Sequence, residues 1–92
     1  MRSRFISLKY LKNPRRGSSR LAVVVSKKVT KRAPQRNRIR RRLYEVMRRP
    51  WPQLKQPHDM VLTVFDDRVG SMPAEELEKL VCDLLRQADI YT

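Results

Sequence analysis

Residues 21–47 read LAVVVSKKVTKRAPQRNRIRRRLYEVM, and two periodicities meet inside that stretch. Leu21 to Ser26 is a short run rich in valine, which predicts a strand. It is apolar on both faces, which predicts a central one. From about Ala33 or Pro34 to Arg49 the spacing changes. Ile39, Leu43, Val46 and Met47 stand at i, i+4, i+7 and i+8, a single apolar stripe on a helix. Pro34 suits a first helical turn, where its missing N–H does no harm. At about 100° per residue, Asn37, Arg41, Tyr44 and Arg48 project from the opposite side, with Arg38 and Arg40 flanking them. Arg36 projects nearer the stripe and is expected to reach toward the edge of the sheet. A strand therefore feeds, through a basic loop, into a helix whose free face is mostly guanidinium.

The remaining elements follow outward from this pair. Phe5 to Leu11 alternates loosely and carries β-branched and aromatic residues, so it predicts another strand. Asn13 to Ser19 supplies turn chemistry, with Pro14, Gly17 and the arginines Arg15 and Arg16 at its tip. Two strands across one short loop are expected to pair antiparallel. Pro50 stops the helix, and Pro50-Trp51-Pro52 with Pro57 marks an irregular connection. Asp59 to Phe65 predicts a third strand, and Asp66 to Ser71 a turn. From about Pro73 to Ala88, Leu77, Leu80, Val81, Leu84, Leu85 and Ala88 keep helical spacing, with Glu75 and Glu76 complementing the dipole of the first turn. The order β-β-α-β-α predicts an α+β two-layer sandwich, a small sheet covered on one face by helices. Residues 1–92 are expected to form one RNA-binding domain.

Charge points to the partner. The 92 residues carry 22 Lys/Arg against nine acids, a net +13. The asymmetry is steeper still: residues 1–56 hold 19 basic residues and one acid, Glu45, while the rest hold three and eight. Such a balance implies a polyanionic partner, usually nucleic acid. The basic block comprises Lys27, Lys28, Lys31, Arg32, Arg36, Asn37, Arg38, Arg40, Arg41 and Arg42. Guanidinium groups on a helix offer phosphate donors at fixed spacing and stack on unpaired bases. A solvated charged face would not need such density, because like charges three and four residues apart repel. Asn37 suits either a base edge or a plain surface position.

Catalytic constellations are missing from the sequence. His58 is the single histidine and Cys82 the single cysteine, so a disulfide framework, a multi-cysteine zinc site and a two-histidine nuclease site are excluded within one chain. Asp66 and Asp67 read as polar turn residues. The two glycines form no phosphate loop. Phe5, Tyr10 and Phe65 could stack on bases from an open sheet face, although core packing is the commoner use of such residues. No apolar run approaches the roughly 18 residues of a membrane span, and no signal peptide opens the sequence, so a reducing cytoplasm is the expected compartment.

Ser26-Lys27-Lys28-Val29, then Arg36-Asn37-Arg38-Ile39-Arg40-Arg41, then Leu43 and Glu45, resemble the signature of the bacterial ribonuclease P protein subunit. The resemblance continues through Asp59–Phe65 and Leu77–Leu85. It implies a sandwich with an unusual left-handed βαβ crossover, a fold type also found in a ribosomal protein domain, against the usual right-handed preference. It implies binding to a large catalytic RNA and to the 5′ leader of precursor tRNA in a holoenzyme that removes that leader. The RNA would carry the chemistry and hold most of the Mg2+, with no metal bound by the protein alone. RNA contacts would fall on the basic block, and leader contacts on a sheet cleft including Phe5, Lys9 and Tyr10. Family members normally carry a helix before the first strand, whereas this sequence starts almost at Phe5. The expectation is a sheet face taken by RNA, by a second copy in a weak homodimer, or left as a wet groove. Other readings are a ribosomal-type or general structured-RNA binder, and a protein-only nuclease or DNA-binding helix protein. The missing acid and base residues speak against the last.

Overall fold

The computed structural model describes residues 3, 5–13, 17–54 and 57–90. The tip of the first loop, Pro14 to Arg16, lies outside them. Three strands, β1 (Ile6–Lys12), β2 (Arg20–Val25) and β3 (His58–Val64), and two helices, α1 (Ala33–Met47) and α2 (Ala74–Gln87), follow in the order β1-β2-α1-β3-α2. Short 3-10 turns at Trp51–Gln53 and Asp67–Gly70 flank β3. Each element falls within about two residues of its expected place.

Strand pairing differs from the expectation. The sheet order is β1-β3-β2, so β1 and β2 do not pair with each other. β3 pairs antiparallel with β1 and parallel with β2. The central strand is thus β3, and β2 lies at an edge. β3 alternates cleanly, with His58, Met60, Leu62 and Val64 buried and the residues between them half-exposed. In β2 only Val23 and Val25 are buried, while Ala22 and Val24 lie exposed on the other face. The valine run is therefore one-sided, because no element among the described residues covers its second face. β2, α1 and β3 form a crossover between neighbouring parallel strands.

Both helices lie on the buried face of the sheet. Ile39, Leu43 and Met47 of α1 and Leu77, Val81, Leu84 and Leu85 of α2 close over Ile6, Leu8, Leu62 and Val64. Asp59, at the start of β3, ties both neighbours. It accepts from Arg20 Nε and Nη2 and from Asn13 Nδ2, all at 3.0 Å. This pins the register where both edge strands meet the centre. The Arg20 pKa is raised, chiefly by the hydrogen bond to Asp59.

Candidate nucleic-acid interface

The loop after β2 is shaped by its own backbone and by one arginine. Val29 N–H donates to Ser26 O at 3.1 Å, and Arg32 N–H to Thr30 Oγ1 at 3.3 Å. Arg36, in the first turns of α1, donates from its guanidinium to Thr30 O at 3.0 Å. Arg36 thus turns back toward the chain, as its angular position predicts, but its acceptor is the loop rather than the sheet. Lys27, Lys28, Lys31 and Arg32 are left exposed around this brace.

Along α1 the basic residues separate into two sets. Asn37, Arg38 and Arg41 are exposed. Arg40 is half-buried and donates to Asn37 Oδ1 at 2.8 Å. That bond orients the Asn37 amide and holds one guanidinium beside it. Among the described residues, none of Lys27, Lys28, Lys31, Arg32, Arg38 or Arg41 takes part in an ion pair. Pairs there include Arg20–Asp59, Arg48–Glu45, Arg49–Glu78, Arg68–Asp66 and Arg86–Asp83. α1 also has no acid in its first turn and no side-chain cap. A helix N-terminus carries partial positive charge, so cations around it are left uncompensated until an anion arrives.

Arg42 belongs to the second set. Its guanidinium donates to Val69 O at 2.8 Å and to Met72 O, so it clamps α1 to the turn before α2. Gly70 makes that approach close: a Cβ there would lie 2.6 Å from Gln35 Nε2 and 3.3 Å from Ile39 Cγ1. Arg42 therefore works within the fold, although the sequence places it beside Arg41 without distinction.

The three residues expected at a leader cleft do not share one face. Lys9 is exposed on the side away from the helices. Tyr10 lies on the helix side, its ring edge-on to His58 at 6.1 Å between centroids. Phe5 is half-buried against the core, with the Arg68 guanidinium 5.2 Å from its ring centroid. Arg68 is also bound to Asp66, and its side-chain and backbone hydrogen bonds hold that carboxyl down at about 2. Phe65 pairs with Phe5 through a 2.7 Å backbone bond and is exposed. The uncovered sheet face presents Lys9, Leu11, Ala22, Val24, Val61 and Thr63, with Leu11 71% exposed.

Among the described residues no three His, Cys, Asp or Glu side chains converge as metal ligands. Asp59 and Asp66 are engaged by arginines. No described helix is long and apolar enough to cross a membrane. Sequence reasoning passed over the aromatic end of α1: Tyr44 and Trp51 stand beside Arg20 and Arg48 in one groove. The available signal was a tryptophan between two prolines just past a basic helix.

Comparison with known proteins adds three findings. A family profile described as Ribonuclease P matches residues 1–89. Curated relatives named "Ribonuclease P protein component" include one from Chloroflexus aurantiacus, 42% identical over 74 residues, covering 80% of this chain and 54% of that protein. Another, from a Pseudanabaena strain, is 41% identical over 90 residues, covering 97% and 76%. The chain thus spans about half the length of the first of these relatives. Among solved structures, the RNase P protein of Staphylococcus aureus superposes with a TM-score of 0.83 at 20% identity, over 100% of this chain and 82% of that one. That of Thermotoga maritima gives 0.81 at 21%, over 95% and 80%. At those identities the structural match speaks for the fold.

Proposed function

Since the chain belongs to the ribonuclease P protein family, we propose that it is the RNA-gripping protein component of a ribonuclease P holoenzyme that removes 5′ leaders from precursor tRNA. The observation that carries this reading is the cationic surface formed by the loop 26–32 and the outer face of α1. Lys27, Lys28, Lys31, Arg32, Arg38, Arg40 and Arg41 have no ion-pair partner among the described residues, Arg48 alone on that face pairing with Glu45, and the helix N-terminus is uncompensated. The surface binds; it holds no acid, base or nucleophile arranged for chemistry. Cleavage therefore belongs to the RNA, which also holds most of the Mg2+.

Lys27, Lys28, Lys31, Arg32, Arg38, Arg40 and Arg41 contact the catalytic RNA, and Asn37 is held by Arg40 for a phosphate or a base edge. Arg36 and Arg42 act one step back, shaping the loop and fixing the helix. The precursor leader lies across the uncovered sheet face, where Lys9 supplies charge and Val24, Val61 and Leu11 supply apolar surface. Cys82, the single cysteine, is buried in α2, which suits a reducing cytoplasm as the working compartment.

The test is reconstitution of the full chain with a bacterial ribonuclease P RNA and a precursor tRNA at low magnesium. The protein is expected to raise leader removal above that of RNA alone and to cleave nothing by itself. An RNA whose activity ignores the protein, or leader removal by protein alone, would overturn the reading.

A further inference from the structure

The concave strip on α1 does not end with its arginines. Tyr44 closes an open depression of about 580 Å³ formed with Pro34, Asn37, Arg40 and Arg41, and the same ring lines a second, more apolar groove of about 610 Å³. Leu21 at the start of β2, Met47 at the end of α1, and Trp51 give that groove an apolar floor and wall. Met47 is buried and Trp51 half-buried, whereas Tyr44 is 45% exposed. The Tyr44 hydroxyl donates to Leu21 O at 3.4 Å, which holds the ring against β2. Trp51 is set by the 3-10 turn after Pro50, where Gln53 N–H donates to Pro50 O at 2.9 Å. Arg20 and Arg48 stand at the rim, each in a surface ion pair, with Asp59 at 3.0 Å and Glu45 at 3.2 Å. The Arg48–Glu45 pair, exposed on both sides, is weak enough to exchange for a phosphate, whereas the bidentate Arg20–Asp59 pair stays with the fold and adds positive charge at the rim.

We propose that this groove receives an unpaired nucleotide of the bound RNA, with its base on the Tyr44 and Trp51 rings and its phosphate on Arg48. The proposal rests on the RNA-binding reading above and names a second subsite for it. An apolar floor with two aromatic walls suits the flat, poorly hydrated face of a base. The cationic rim selects an anionic ligand over an uncharged apolar segment. Tyr44 makes the groove continuous with the guanidinium face, so a strand held by Arg41 and Arg40 runs directly into it. Stacking of this kind adds affinity for single-stranded or bulged RNA that a perfect duplex cannot use.

Trp51 is the sole tryptophan, so its emission reports on this groove alone. The full chain is titrated with a labelled RNA hairpin carrying an unpaired bulge and, separately, with a perfect RNA duplex. Label anisotropy reports binding, and Trp51 emission reports stacking. Both RNAs are expected to bind, and only the bulged one to quench Trp51. Tyr44→Leu and Trp51→Leu are expected to lower affinity for the bulged RNA by about 5- to 150-fold, from typical stacking strengths per base, and to leave the duplex unaffected. Tyr44→Phe and Trp51→Phe, which keep an aromatic face, should largely retain affinity. Should Trp51→Leu fail to fold, the exposed position Tyr44 decides.

Tight binding of the bulged RNA with unchanged Trp51 emission, and with the leucine variants binding like wild type, would overturn the groove while leaving the RNA-binding reading intact. If neither RNA binds, both fall. Trp51 emission that shifts with protein concentration in the absence of RNA would assign the groove to a second copy of the chain and overturn the proposal.

Discussion

α1 and α2 differ by one residue in length and cover the same face of one sheet, yet they are built for opposite ends. α2 buries Leu77, Val81, Cys82, Leu84 and Leu85, carries Glu75 and Glu76 in its first turn, and has Arg86 in its last. Those charge placements favour a folded helix, although α2, like α1, has no side-chain N-cap bond. α1 buries only Ile39, Leu43 and Met47, has no acid in its first turn, and packs arginines at neighbouring positions around its outer side. Repulsion between arginines three or four residues apart, such as Arg38 and Arg41, costs a few tenths of a kcal/mol for each pair. The contrast teaches where the molecule gives up stability: α2 and β3 carry the fold, and α1 accepts charge repulsion that, under the proposed function, RNA would relieve.

Three substitutions probe that division. The largest effect on folding is expected in α2. Leu77 is fully buried, so Leu77→Ala should lower unfolding stability by about 2–5 kcal/mol in a denaturant titration. The folded fraction should still bind RNA with unchanged affinity. Next is Arg42, whose two carbonyl acceptors make it a part of the fold set on the binding helix. Arg42→Ala should cost about 1.5–3 kcal/mol of stability, read by the same titration, because hydrogen bonds from a charged donor are lost. Arg41→Ala, one position away, should leave stability nearly unchanged and weaken RNA binding. Equal stability losses at the two positions would dissolve the distinction between them.

The smallest effect concerns acid. The Asp66 carboxyl titrates at about 2, held down chiefly by the Arg68 side chain and then by the Arg68 backbone N–H. An unfolded aspartate titrates near 3.9, so this pair stabilises the fold above that pH, and its contribution fades as pH falls toward about 2. Asp66→Asn should therefore be less stable than wild type at pH 6, with the gap closing as pH drops. A gap that persists at pH 2 would show that shape at that turn, and not charge, is what matters.

Much of this was legible in the sequence, and the failures have physical causes. The stripe of Ile39, Leu43 and Met47 and the alternation through β3 fixed the elements to within about two residues, because both patterns report which face is buried. Pairing was not legible in the same way. Leu21 to Val25 is apolar on both sides, but apolarity does not say whether a second layer exists, and Ala22 and Val24 face open space. The short loop before β2 suggested a hairpin, whereas β3, the most regularly alternating strand, had the claim to the centre. Arg41 and Arg42 are identical in type and adjacent. Only the position of the 67–72 turn, set by tertiary packing, sends one to solvent and the other to the carbonyls of Val69 and Met72. Tyr10 parts from Lys9 for the simpler reason that neighbours on a strand face opposite ways.

The central claim is that the outer face of α1 grips RNA through its phosphates. Its most direct test is the salt dependence of affinity for a ribonuclease P RNA, compared between wild type and the triple variant Arg38→Ala, Arg40→Ala, Arg41→Ala. Each phosphate contact contributes about 0.7–0.9 to the slope of log K against log salt. The variant is therefore predicted to bind at least tenfold more weakly at about 0.1 M salt, with a slope shallower by about 2 and a native-like unfolding curve. Equal affinity and equal slope in the two proteins would contradict the account.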